Sequence, residues 1–394
     1  MEKTSSQCIK QAAAEIQEYL VDFRRDLHRH PELSGNEFRT QKRIIEELEK
    51  LGIEYEKAGT TSVVATIHGA KPGKTVMLRG DIDALPITEV ADIDFRSENE
   101  GVMHACGHDT HATMLLGAVN LLNNMKDELS GTIKFFFQED EETCNGAQRI
   151  IADGFLKGVD MCLGIHNHPS FPIGTCGTSL GYAMAGSDTI FVRFEGVSGH
   201  GSTPHLAKDS ITPACVFALD LQQIVTKNTD SQDSVVLSVG KIDGGTRNNI
   251  IAKHTQLDIT MRYFDKETRK IVHEKIVKHA ENIADMYDVK VELEFVETAL
   301  STYNHPEAVE VFKTASKKIL GEDGYSEVTK QMGSEDMSYY LDEVKGLMVF
   351  IGSGNTEEGA IYPPHHDKFK VDETMFKYGA ALYTQFAVDF LNNK

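Results

Sequence analysis

Three short apolar runs in the first half of this chain end in the same way, and that repetition narrows the folds open to it. Residues 75–78 (TVML) lead into Gly80-Asp81-Ile82-Asp83-Ala84-Leu85-Pro86. Residues 132–137 (TIKFFF) lead into Gln138-Glu139-Asp140-Glu141-Glu142, and residues 159–165 (VDMCLGI) into His166-Asn167-His168-Pro169. β-Branched and aromatic runs of this length read as buried strands. Helical patterns separate them, so the expected fold class is α/β, a mostly parallel sheet with helices on both faces. Such sheets place their ligands beyond the carboxyl ends of the strands. Acids and histidines that leave strand after strand are therefore expected to converge on one edge.

Before these runs, Ile16, Leu20, Phe23 and Leu27 recur at helical spacing up to Pro31. A second helix is expected from about residue 36, with Phe38, Ile44, Ile45, Leu48 and Leu51 inward and Gly52 as its stop. Residues 61–68 (TSVVATIH) read as a strand. From Gly186 the pattern changes. Strand 189–194, helix 205–225 (Ile211, Ala214, Cys215, Ala218, Leu219 and Gln222 along one side), strands 234–240 and 255–263, helix 266–287 and strand 289–296 follow in order. The order β-α-β-β-α-β is the ferredoxin-like split pattern. At 394 residues two domains are the natural prior. The expectation is a first domain of residues 1–185 plus 298–394, with an inserted α+β domain of residues 186–297. The first domain then resumes with helix 306–320, a helix opened by Ser334-Glu335-Asp336, strand 346–351, a loop through His365 and His366, and a final helix 371–391.

The formal net charge of −20 argues against nucleic acid or an anionic membrane surface as partner. No apolar run approaches membrane-spanning length, and the first residues lack the apolar core of a signal peptide. Six irregularly spaced cysteines are not a disulfide framework. A cytoplasmic protein with reduced thiols is expected, which leaves cysteine available to a metal.

Met103-His104-Ala105-Cys106-Gly107-His108-Asp109-Thr110-His111 gathers such ligands densely. On a helix, Cys106 and His108 would point about 200° apart, so this stretch should be a loop that enters the helix of residues 112–122 (ATMLLGAVNLL). The acid run 139–142, alone, would read as well as a solvated loop. It follows Phe135-Phe136-Phe137, however, and acids packed at the end of a buried strand need a cation. Cys106, His108, Glu142, His166 and one of the pair His365/His366 supply S, N and O donors from four segments. With Asp81 and Asp83 nearby, the donors exceed what one tetrahedral ion needs, which suggests two divalent ions. A thiolate argues against Mg²⁺ and Ca²⁺ and leaves Mn²⁺, Zn²⁺, Co²⁺ or Ni²⁺.

With Arg24-Arg25-Asp26-Leu27-His28-Arg29-His30-Pro31, Gly199-His200 and Glu335-Asp336 added, nearly the whole chain resembles the N-acyl-amino-acid amidohydrolases, relatives of two-metal amino- and carboxypeptidases. The resemblance implies metal-dependent hydrolysis of an N-acyl-L-amino acid, a small-molecule substrate. It makes Cys106, His108, Glu142, His166 and His365 the metal ligands and Glu141 the general base. It places His200 at the oxyanion, commonly of the partner subunit's site, and Asn249 and Arg262 on the substrate carboxylate. The family usually carries Pro-Ala where this chain has Glu139-Asp140, yet Phe137-Gln138 before and Gly146-Ala147 after keep the register. Phe369 lies four residues after His365, the family's spacing, and His366 stays as the alternative. His111 is expected to be a supporting or packing residue and His168 to lie on a loop surface. Edge strands in the inserted domain, with alternating strands such as residues 189–194 free to pair with a copy of themselves, suggest a homodimer through residues 186–297. The competing readings are a dipeptidase or carboxypeptidase on the same scaffold and a non-catalytic metal-binding protein.

Overall fold

The strands that carry the acids are neighbours. In the computed structural model, which describes residues 2–392, Ser130–Gln138, Lys71–Asp81, Met161–Pro172 and Gly346–Gly354 lie side by side and mutually parallel. Register sets Asp81 opposite Gln138, Arg79 opposite Gly164 and His166 opposite Phe350. All three polar strand ends therefore open on one edge. Strands Ser62–His68 and Glu54–Ala58 extend the sheet antiparallel on one side, and Cys176–Thr178 and Tyr325–Glu327 complete its eight strands on the other.

The two-residue period of a strand sorts these apolar runs onto two faces. Leu78, Phe135, Phe137, Leu163 and Val349 join a large core under helices His108–Asn124, Pro306–Leu320 and Met375–Asn392. Met77, Phe136, Cys162 and Met348 face a smaller one, closed by Gly146–Ala152 and Met337–Glu343. Burial on both faces explains why the runs are continuously apolar instead of alternating. Tyr383 of the last helix reaches between two strands just beneath the polar edge. Its hydroxyl donates to the Arg79 carbonyl at 2.6 Å and accepts from the Ile165 N–H at 2.9 Å.

A second compact unit comprises Met184–Ser301 with Gln331–Ser334. Its strands Gly186–Glu195, Val236–Gly244, His254–Tyr263 and Lys290–Ala299 form an antiparallel sheet in which the first strand lies between the third and the fourth. Helices Ile211–Asn228 and Lys266–Met286 share its core through Ala214, Phe217, Leu221, Ile224, Val272 and Ile276. Val236–Gly244 and Lys290–Ala299 are the two edges, so the strand of residues 189–194, expected to be free for a partner copy, is instead interior, with both sides of its backbone paired.

Several local expectations give way. Phe38 is 57% exposed, because the buried stripe of Phe38–Lys50 runs through Thr40, Gln41, Ile44 and Leu48 and passes it by. Residues 204–206 form a single 3₁₀ turn, and the helix starts at Ile211, where Asp209 accepts the first free N–H groups. Its buried face is Ala214, Phe217, Leu221 and Ile224, which leaves Leu219 79% exposed. The Met161–Pro172 strand continues past His166, so His168 lies in a strand and not on a loop. Its ring stacks on Phe171 at 4.4 Å. Among the described residues, no helix is long and apolar enough to cross a membrane.

Candidate metal centre

Gly107 makes the opening of the site possible. It has φ +93°, the left-handed region that glycine enters without penalty, and a Cβ there would stand 2.3 Å from Asn167 Nδ2. Asn167 in turn donates to the Cys106 carbonyl at 2.7 Å. The chain thereby turns between Cys106 and His108, and both side chains enter the same space although the next residue is already helical. Cys106 Sγ lies 3.5 Å from His166 Nε2.

The imidazoles of His166 and His108 are each held by the other ring nitrogen, the arrangement that fixes tautomer and aim in metal sites. His166 Nδ1 donates to the Asn167 carbonyl at 2.7 Å, which leaves Nε2 with a bare lone pair. Burial, then the neighbouring His111, holds this ring neutral, with its pKa well below the ordinary range. His108 Nδ1 meets Asp83 Oδ1 at 2.8 Å. The second oxygen of Asp83 accepts from the Glu142 N–H at 3.0 Å and from Ser34 Oγ at 2.7 Å. One carboxylate thus places two candidate ligands. His365, with φ +64°, is anchored by its N–H on the Ala105 carbonyl at 2.8 Å, and its Nε2 stands 3.4 Å from Glu142 Oε1. Cys106 and Glu142 together push its pKa up to about 10. His366 turns elsewhere, to Asp367 at 3.0 Å and onto the Tyr362 ring.

The donors suit cations on physical grounds. His108 Nε2 is fully buried without a hydrogen-bond partner, as is Glu142 Oε1. Yet His108 Nε2 is 3.8 Å from Glu142 Oε1, 3.9 Å from Glu141 Oε2 and 3.8 Å from Asp81 Oδ2. These gaps are too wide for hydrogen bonds. They match donors sharing one ion, which stand roughly 3–4 Å apart when each bond is about 2.0–2.3 Å. Cys106–His108–His166 and Cys106–Glu142–His365 each bring three donor atoms within 4.8 Å of one another and share the thiol, and His108–Glu141–Glu142 makes a third set. The residues present fit two ions better than one.

Beneath them, Asp81, Asp83, Glu141, Glu335 and Asp336 are all buried. Arg79, 1% exposed, reaches Asp81 at 2.7 Å, Asp336 at 2.6 Å and Glu335 at 3.0 Å. One guanidinium does not neutralise so many carboxylates, and unpaired buried charge is expensive. Burial, then Glu335, Glu142 and Asp336, accordingly pushes the Glu141 carboxyl well above its usual range. His111 is a support here: its Nδ1 lies 2.5 Å from Asp81 Oδ1, and its Nε2 accepts from the Asn167 N–H at 2.9 Å. Sequence reasoning passed over Arg79 and Asn167. The available signal for Arg79 was a charge inside an otherwise apolar strand.

The remaining sequence-derived residues lie in the second unit. His200 sits in a two-residue strand paired with Ile250–Ile251, its ring nitrogen 3.1 Å from the Ser202 N–H. The Asn249 carbonyl accepts from the Gly201 N–H at 2.9 Å. Arg262, on His254–Tyr263, bonds Ser334 Oγ.

The sheet edge and its donor cluster define a metal-dependent hydrolase. Residues 77–389 match the model of peptidase family M20/M25/M40, and the chain belongs to that family. It is similar to thermostable carboxypeptidase 2 of Saccharolobus solfataricus, 38% identical over 98% of each chain. It is similar as well to the N-acetylcysteine deacetylase of Bacillus subtilis, 35% identical over 94% of this chain and 96% of the other. The solved structure of the Bacillus subtilis YXEP protein, described as a dinuclear metal-binding peptidase of the M20 family, superposes with a TM-score of 0.85. It is 32% identical and covers 97% of this chain and 100% of its own. Membership sets aside the non-catalytic reading: the chain is an amide-bond hydrolase that works with metal ions.

Because Cys106 is common to two donor sets, Cys106→Ser should weaken metal binding at least about 100-fold and shift preference toward harder ions. Equilibrium dialysis with metal analysis measures this. Unchanged metal content would remove the thiol from the centre.

Proposed function

We propose that the chain hydrolyses the amide bond of N-acyl-L-amino acids, releasing a carboxylic acid and a free amino acid. Cys106, His108, Glu142, His166 and His365 would hold two divalent ions per subunit, Mn²⁺ or Zn²⁺ first, with Co²⁺ and Ni²⁺ compatible with the same donors. Bound there, the ions would supply Lewis acidity and lower the pKa of the attacking water. The observation that carries the reading is Glu141. It borders the donor cluster with Oε2 3.9 Å from His108 Nε2, and its raised pKa suits a group that takes a proton and returns it. Glu141 takes the proton of the attacking water and hands it to the leaving amine.

From the family resemblance, His200 would stabilise the oxyanion, and Asn249 and Arg262 would hold the substrate carboxylate, Arg262 as the bidentate partner. The chain would work as a homodimer paired through the inserted domain, residues 186–297, with His200 completing the partner's site. The open edge Val236–Gly244 supports that pairing. Among the described residues no cysteine is paired in a disulfide, which supports a cytoplasmic location. The acidic charge supports a small-molecule partner over nucleic acid or membrane. A carboxypeptidase or dipeptidase activity is the second reading, favoured by the 38% identity to a carboxypeptidase.

A panel of N-acetyl, N-benzoyl and longer N-acyl amino acids against matched dipeptides separates the two. The metal-loaded enzyme should favour the acyl amino acids by about tenfold or more in kcat/KM, and the reverse ranking would give the peptidase reading. Glu141→Gln should keep its metal and lose roughly 10²- to 10⁴-fold in turnover. Mixed with inactive His200→Ala, it should regain up to about a quarter of wild-type activity, since half of randomly mixed dimers carry one intact site. Verified subunit exchange without recovery would contradict completion in trans.

A further inference from the structure

Just behind the Glu141–Glu142 pair lie two more buried carboxyl groups that no catalytic role uses, Glu37 and Glu139, both 0% exposed. Between them sits Thr61, also fully buried. Its Oγ1 is 2.5 Å from Glu37 Oε2 and 2.7 Å from Glu139 Oε2. A hydroxyl has one proton to donate. It can satisfy one of these oxygens, and the other contact requires a proton on the carboxyl itself.

The remaining donors decide which carboxyl carries it. Glu139 already accepts from the N–H groups of Thr60 and Thr61 and from Arg149 Nη1 at 3.0 Å, the environment of an ionised carboxylate. Glu37 accepts two amides, Gly35 at 2.9 Å and Asp140 at 2.9 Å, both on Oε1. Its Oε2 meets only Thr61 Oγ1 among the hydrogen bonds of the described residues. That is the bonding pattern of a neutral acid: one oxygen accepting, the other donating.

We propose that Glu37 is a protonated carboxyl that acts as a positioning residue, holding the Asp140 turn through its own C=O and through Thr61 and Glu139, and so aiming Glu141 and Glu142. Asp140 needs such a hold. It is a non-glycine residue at φ +54°, its carboxylate pairs with Arg149 at 2.8 Å, and it immediately precedes the two functional glutamates. Glu139 is confined as well, since a Cβ on Gly59 would fall 2.4 Å from its Oε1. The charged groups around Glu37 are Asp83, Glu139, Asp140 and Arg149, the last paired with Glu139 and Asp140. Burial, with Asp83 adding to it, raises Glu37 to about 7. The effect on turnover rests on the roles proposed for Glu141 and Glu142; the location of the proton does not.

Glu37→Gln tests this in the metal-loaded enzyme, because the amide accepts on one side and donates on the other as the neutral acid does. In the infrared difference spectrum at pH 6, wild type should show one protonated-carboxyl band that the variant lacks. Turnover of Glu37→Gln should stay within about twofold, while Glu37→Leu should lose about tenfold or more in kcat with KM and metal content held. The folded pKa lies above the usual 4.5, so wild type loses stability as pH rises from about 4.5 through about 7. The Tm of Glu37→Gln should therefore climb relative to wild type across that window. No lost infrared band, a flat Tm difference, or Glu37→Gln as impaired as Glu37→Leu would overturn the proposal. Should Glu37→Leu not fold, Thr61→Val replaces it: reduced kcat supports the relay and wild-type kcat overturns it. The infrared and Tm readouts stand whichever amide is the substrate, so their failure is distinct from a failure of the proposed function.

Discussion

Negative charge packed at the edge of a buried sheet is the constraint on which this structure depends. Asp81, Asp83, Glu141, Glu335 and Asp336 are buried together, and Arg79 is the guanidinium that reaches three of them. Such a cluster is stable only if further positive charge is brought to it. His108 Nε2 and Glu142 Oε1, both buried without a hydrogen bond, border that same deficit. The chemistry then follows from electrostatics. Ions that neutralise the acids would also activate water, and burial beside Glu335, Glu142 and Asp336 favours the protonated form of Glu141 while that charge is uncompensated.

The fold supplies the placement. Parallel strands end together, so acids and imidazoles that are far apart in sequence arrive at one edge. Their aim is fixed one layer further back. Asp83 holds both His108 and Glu142, Asn167 holds the Cys106 carbonyl and His111, and Tyr383 ties two strands just beneath. Behind Glu141 and Glu142, the Glu37–Thr61–Glu139 group does the same for the turn. Ligands that must keep productive geometry within a fraction of an ångström need such a supporting layer.

Much of this was legible in the sequence, for a physical reason. A strand buried on both faces is a continuous apolar run, and its end is abrupt, so the change from Phe137 to Glu139-Asp140-Glu141-Glu142 marks both the element and the edge. The β-α-β-β-α-β order was equally plain, because its periods alternate cleanly. Helix faces were harder. Leu219 and Phe38 are apolar residues outside the buried stripe, and periodicity alone does not rank competing stripes. The short strands Glu54–Ala58, Cys176–Thr178 and Tyr325–Glu327 carry little pattern of their own and owe their state to the sheet they join. Supporting residues such as Asn167 and Thr61 are invisible in principle, since their roles exist only once distant segments meet, whereas Arg79 left the trace of a charge inside an apolar strand.

Counting the ions tests the account most directly. Calorimetric titration of metal-stripped protein with Mn²⁺ or Zn²⁺, followed by thermal denaturation of the loaded form, measures stoichiometry and stabilisation together. The packed acids and the shared Cys106 predict two ions per chain and a raised Tm. Binding of fewer than two ions, or full occupancy with an unchanged Tm, would contradict the claim that this sheet edge is built around a pair of cations.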